Sequence, residues 1–322
     1  MQSIFHNLKS AYFRHTWLLF FLALFIPVSQ NILPVFIVLI LLNWVFLKKE
    51  IKKENCKASI FIVSFYALHV LGLLWSENLD FGWFDVQIKL SLLILPVVFC
   101  FSIPLRIKDF ERTLTAYVIG CCSAVIIGVS HSVYSYYTND TNYIDLYNEG
   151  VSPSLHIGYF AMYMNFAIII LIYKLDIRSN VLYTPLNLLR IFFILFFAVA
   201  VFLSTSRNGL IVLFLILILA IIYAVIRYRK WLFFVTSAVI AWVVLSSVLK
   251  DYNSKASSFH GFDEITETLK KEKIEKKSLS SSEVRILVWK MSISIVKDHP
   301  LLGVGTGDIK DELIKLYKKE GY

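Results

Sequence analysis

Charge is scarce in this sequence. Only 17% of its 322 residues are Asp, Glu, Lys or Arg, against about 25% in soluble globular proteins. Apolar residues take up the difference at 57%, above the roughly 45–50% of that class, and the mean hydropathy is +0.67. An ordinary soluble domain is thereby excluded. Short alternating apolar–polar segments are also missing, which excludes a transmembrane β-barrel. Of the four cysteines, Cys100, Cys121 and Cys122 fall in apolar runs and Cys56 in a lysine-rich loop. Neither a disulfide framework nor a metal-ligand spacing is expected from them. The N-terminus, MQSIFHNLKSAYFRHTW, has no signal-peptide cleavage pattern, so the first apolar run reads as a retained span. A GxSxG nucleophile elbow and a nucleotide-binding fingerprint are absent. GVGTG at 303–307 has no GK[ST] after it and no strand before it; its glycines read as allowing tight turns.

What the chain does contain is long apolar runs. A helix of about 20 apolar residues crosses the hydrocarbon core. Nine such spans are expected, at roughly 16–30, 32–47, 58–75, 86–103, 113–137, 156–173, 186–204, 209–226 and 231–249. The expected fold is all-α and polytopic: a transmembrane helical domain over 1–249, then a large external loop with amphipathic helices over 250–322. Pro27 and Pro34 flank a short turn between the first two spans.

The net charge of +9 reads as a topology signal, not as a nucleic-acid footprint. One set of loops holds Lys9 and Arg14; Lys48, Lys49, Lys52, Lys53 and Lys57; Arg106, Lys108 and Arg112; Lys174, Arg178 and Arg190; and Arg227, Arg229 and Lys230. The opposite short loops hold Arg207, with Lys89 just inside a span, and otherwise Glu77, Asp80, Asp85, Asp140, Asp145 and Glu149. Cationic short loops face the cytoplasm. The N-terminus is therefore expected inside, and Arg207 and the segment after 250 outside.

That external segment is polar and rich in lysine and glutamate. Residues 264–277 suit a charged helix with pairs such as Glu267/Lys271 and Glu272/Lys276. Val284, Leu287, Val288, Met291 and Ile295 recur at helical spacing. The apolar face they form needs a surface to bury against, and the membrane domain would bring Arg285 towards Arg207. DELIKLYKKEGY reads as a further short helix, and His299–Pro300 as a turn.

Arg207 carries the strongest functional signal. An arginine at the start of a span is expensive unless it has a task. Ser204, Ser206 and Asn208 stand beside it, and its planar fork matches phosphate oxygens. Lys89 either pairs with Asp85, one helical turn earlier, or serves a ligand. His156, opening span six, reads first as a polar cap, a supporting role, and second as a base. Cations gathered at the outer membrane face suit a membrane-held phosphate or pyrophosphate and could stabilise charge on a leaving group.

Three stretches, FLSTSRNGLIVL, LHIGYFAMYMNFAI and SSEVRILVWKMSISIVKDHPLLGVGTGD, make the chain resemble the O-antigen ligase/polymerase family of bacterial envelope proteins. The third is the most specific, with an arginine, a tryptophan and then an HPLLGVGxG turn. The resemblance implies a glycosyltransferase of the GT-C type that needs neither a metal nor another cofactor and sits in the inner membrane with its active face towards the periplasm. Its donor would be a glycan on undecaprenyl pyrophosphate, and its acceptor lipid A-core or another glycan. Arg207 and Arg285 would bind the pyrophosphate, assisted by Lys89. A lipid-linked glycan transporter or flippase is the alternative, but internal repeats of the transporter kind are not found.

The family also places a histidine, the implied base, soon after the PLLGVGxG turn. Neither His156 nor His299 matches that position, so the histidine is expected beyond Tyr322 and the chain is expected to be C-terminally truncated. The expected outcome is that these 322 residues alone bind donor without turning it over. Robust transfer by them would contradict it.

Overall fold

The computed structural model describes residues 2–45, 53–101, 105–138, 152–153, 155–175, 184–228 and 281–320. Among them there is no strand. The helices are α1 (Gln2–Phe25), α2 (Leu33–Val45), α3 (Lys53–Leu71), α4 (Leu79–Ile88), α5 (Ser91–Phe101), α6 (Ile107–Thr138), α7 (Ile157–Lys174), α8 (Pro185–Leu203), α9 (Arg207–Tyr228), α10 (Ser281–Asp298) and α11 (Ile309–Lys319). The stretches Leu79–Phe101, Ile107–Thr138, Ile157–Lys174 and Pro185–Leu203 are long and apolar enough to cross a membrane. Shorter apolar helices cover Tyr12–Phe25, Gln30–Val45, Ser59–Trp75 and Arg207–Tyr223. The span expected at 231–249 and the charged helix expected at 264–277 lie outside the described residues.

The chain divides into two compact units, Met1–Phe46 with Leu105–Ser254, and Leu47–Pro104 with Lys255–Tyr322. Residues 47–104 therefore group with the C-terminal segment.

In the first unit, Phe160, Ala161, Met164, Ala167 and Ile168 of α7 are buried with Ala116 and Cys121 of α6 and Phe197, Ala200 and Val201 of α8. Small residues let helices approach where no hydrophobic drive assembles them. Gly120 shows how close: a Cβ there would lie 2.1 Å from the Leu24 carbonyl oxygen and 2.9 Å from Cγ of Pro27. The polar end of this unit is organised around Asp109. Its carboxylate accepts from the Tyr12 hydroxyl at 3.0 Å and Arg106 Nε at 2.7 Å, with Arg112 at 3.7 Å. Lys174 donates to the Glu111 carbonyl at 3.0 Å and the Thr115 hydroxyl at 2.7 Å. Arg106 and Arg112 are 72% and 75% exposed, while the Asp109 side chain they share is 6% exposed. These bonds gather the middle of α1, the start of α6 and the end of α7 at one cationic end.

In the second unit, α3 packs against α5, and Tyr66, Leu73 and Val86 form a small core with Leu92 and Leu93. The span expected at 86–103 is broken at Lys89–Leu90 into α4 and α5. One expectation is corrected here. Cys56 and Cys100 form a disulfide, because the start of α3 and the end of α5 lie side by side. Their placement in a lysine-rich loop and an apolar run carries no trace of that adjacency.

Gly120→Ala should destabilise the protein by about 1–3 kcal/mol, as overpacking does where a backbone atom is the obstacle. Thermal unfolding in detergent measures it; an unchanged midpoint would show that α1 and α6 part freely.

Candidate functional site

Arg207 stands on a tight corner between α8 and α9. The Ser204 hydroxyl donates to the Val201 carbonyl at 2.7 Å, closing α8. Thr205 then takes φ 52°, the left-handed region that turns the chain at a cost of about 1–2 kcal/mol for a non-glycine residue. Ser206 Oγ accepts from the Gly209 N–H at 3.2 Å, capping the first turn of α9. Ser204 is fully buried and Ser206 nearly so. Both serines thus build the corner that presents Arg207. The arginine is the first helical residue of α9 and half-buried, at the positive end of the helix dipole.

The corner is anchored from beneath by α7. Asn165 Nδ2 donates to the Gly209 carbonyl at 2.8 Å, in a buried position. A Cβ on Gly209 would lie 2.5 Å from that of Ala161, so only glycine lets α9 approach α7 this closely. At the N-terminus of the same α7, His156 is the cap. Its Nδ1 accepts from the Gly158 N–H at 3.1 Å, which calls for an unprotonated Nδ1.

In the second unit, Lys89 follows α4 and forms an ion pair with Asp85. The two side chains are about a third and a quarter exposed, so the pair is open to competition from a solvent-borne anion. Arg285 lies early in α10 and is exposed. The apolar face of α10 is narrower than its spacing suggested. Leu287, Met291 and Ile295 are buried, whereas Val284 and Val288 are 42% and 36% exposed. The buried positions follow a single i, i+4, i+8 row.

The turn after α10 contributes residues that sequence reasoning missed. Gly303 and Gly305 have φ of +68° and +98°, the conformation for which glycine suits a turn. The chain then docks on the corner between α3 and α4. Thr306 donates from its hydroxyl to the His69 carbonyl at 2.7 Å and from its backbone N–H to the Gly72 carbonyl at 3.2 Å. Gly307 N–H donates to Ser76 Oγ at 3.0 Å. Both carboxylate oxygens of Asp308 are engaged, by the N–H groups of Glu77 at 2.8 Å and Asn78 at 2.7 Å. Asn78 caps α4 by accepting from the Phe81 N–H at 3.1 Å and donates to Asp311 at 2.8 Å. The HPLLGVGTGD glycines were the available signal, but they announced only a turn.

Among the described residues no three or more His, Cys, Asp or Glu side chains could share a metal ion. A family model described as O-Antigen ligase matches residues 192–322. That stretch includes Arg207, Arg285 and the docked turn; Lys89 and His156 precede it. No curated protein and no solved structure matches the chain.

Ser206→Ala should lower stability by about 0.5–2 kcal/mol, the usual loss for a helix N-cap, whereas Ser206→Gly should cost only a few tenths. Thermal unfolding of the detergent-solubilised protein reads both. Equal, negligible shifts would show that α9 starts without this cap.

Proposed function

We propose that the protein is a membrane glycosyltransferase acting on a glycan carried by undecaprenyl pyrophosphate, a reading that rests on the match of residues 192–322 to a family model described as O-Antigen ligase. The helices cross the inner membrane nine times, with the N-terminus in the cytoplasm and the working face in the periplasm. The cationic loop ends gathered around Asp109 support this orientation. The bonding of residues 306–311 to residues 69–78 supports a shared side for that corner and the C-terminal segment.

Arg207 and Arg285 hold the pyrophosphate. The carrying observation is that Arg207 opens a capped helix within the family-matched stretch. A guanidinium and a helix N-terminus are both anion-stabilising groups, and here they coincide in one residue. In the reaction an acceptor hydroxyl, on lipid A-core or another glycan, loses its proton to a base. Its oxygen forms a bond to the anomeric carbon. The bond from that carbon to the pyrophosphate oxygen breaks, and the electron pair leaves with the lipid pyrophosphate. Preorganised cations act on the charge that grows on this leaving group. Lys89 assists by exchanging Asp85 for a phosphate oxygen. Ser204, Ser206 and His156 support the site by shaping helix ends.

Arg207→Ala and Arg285→Ala should each reduce glycan transfer by at least about a hundredfold, the scale of losing one leaving-group contact. Lysine at either position should restore part of it, because the point charge remains while the fork is lost. Lys89→Ala should have a smaller effect. A glycan ladder from a complemented deletion strain, normalised to protein in the membrane, is the measurement. Full-length ladders from both alanine variants would refute the proposal.

A further inference from the structure

The contact between the turn at 303–308 and the corner at 69–78 is more elaborate than a tethered loop requires. The starts of two helices meet there and are bonded to each other. The Asp308 carboxylate takes the N–H groups that lead into α4, while its main-chain oxygen accepts from Glu312 N–H in the first turn of α11. Asn78 caps α4 and reaches back to Asp311 in α11. The facing backbones leave no space. A Cβ on Gly307 would lie 2.0 Å from the Asn78 carbonyl oxygen, one on Gly72 2.2 Å from Thr306 Oγ1, and one on Gly305 2.5 Å from Ser76 Oγ. Two of these obstacles are side-chain tips that could turn aside, but the Asn78 oxygen is backbone and cannot.

We propose that Asp308 is a positioning residue for the substrate site, clamping the α10–α11 hairpin onto the start of α4 so that Arg285 and Lys89 are held in fixed register. The inference rests on the reading above, in which both cations hold the pyrophosphate. The physical case has three steps. First, Asp308 is 9% exposed, and both of its bonds are charge-assisted, roughly twice as strong as neutral ones. Alanine there leaves two backbone donors without their acceptor. Second, both levers are rigid. From the clamp, α4 runs ten residues to Ile88, with Lys89 next, about 15 Å at 1.5 Å per residue. On the other side α10 runs unbroken from Arg285 to Asp298, held by Leu287, Met291 and Ile295. Third, among the described residues the Asp308 carboxylate bonds only to this corner. Its side chain is devoted to the corner, so loosening it releases the register of both cations at once. Asp308 therefore acts through Lys89 and Arg285 and touches no reacting atom.

Binding of undecaprenyl pyrophosphate to the purified full chain in detergent tests this, since binding needs no turnover. Asp308→Ala should weaken binding about tenfold and Asp308→Asn about threefold, because the amide keeps one acceptor oxygen of two. Adding Lys89→Ala or Arg285→Ala to Asp308→Ala should weaken binding by less than the product of the separate effects, as residues acting through one another do. Adding Arg207→Ala should multiply. Wild-type binding by Asp308→Ala, or strictly multiplicative effects with both Lys89→Ala and Arg285→Ala, overturns the clamp while leaving the pyrophosphate reading intact. Unchanged binding by Arg207→Ala and Arg285→Ala overturns that reading itself. Should Asp308→Ala not accumulate in the membrane, Thr306→Val removes only the hydroxyl bond to His69. It should weaken binding about threefold; no change would again overturn the clamp.

Discussion

Hydrocarbon offers no partner to a peptide group, so a chain inside it must satisfy every backbone N–H and C=O internally. That constraint underlies the helical fold of this protein, and it also decides where chemistry can sit. The first donors and last acceptors of each helix lack partners within the helix, so polar side chains collect at helix ends. His156 opens α7, Ser204 closes α8, Ser206 opens α9, Asn78 opens α4 and Asp308 precedes α11. The residues read as functional are drawn from the same places. Arg207 is the first residue of α9, and Lys89 is the first beyond α4.

The spaces between helices follow a second rule. Lipid tails are as apolar as leucine, so helices associate through close packing and selected hydrogen bonds. Gly120 lets α6 approach α1, and Gly209 lets α9 approach α7. Asn165, buried among apolar side chains, directs its amide to the Gly209 carbonyl. This bond ties the arginine-bearing corner to the best-packed helix of the first unit. A guanidinium useful for binding an anion must not wander, and this corner restrains its backbone through a serine cap, a left-handed threonine and a buried asparagine.

In the second unit the comparable task falls to the stretch from Gly303 to Asp311. Its glycines have two different causes. Gly303 and Gly305 supply backbone angles, whereas Gly307, like Gly72 on the facing corner, supplies room. Lys89, just beyond α4, forms an ion pair with Asp85 in the same unit. The family match over residues 192–322 includes both Arg207 and Arg285.

Helical class, membrane character and the sorting of charge were legible in the sequence, because each rests on local composition or on a period of 3.6 residues. The interruption of an apolar run by LSTSRNGL was enough to single out Arg207, since a charge at a span boundary stands out against its neighbours. The glycines of GVGTG likewise announced a turn. Tertiary structure alone decided what the turn binds. Asp308 meets Glu77 and Asn78 across more than two hundred residues, and Cys56 meets Cys100 across 44. It also decided that α10 buries Leu287, Met291 and Ile295 while leaving Val284 and Val288 exposed. Such pairings depend on how completed helices stack, and a chain written in one dimension carries no periodic mark of which distant residues that stacking will bring together.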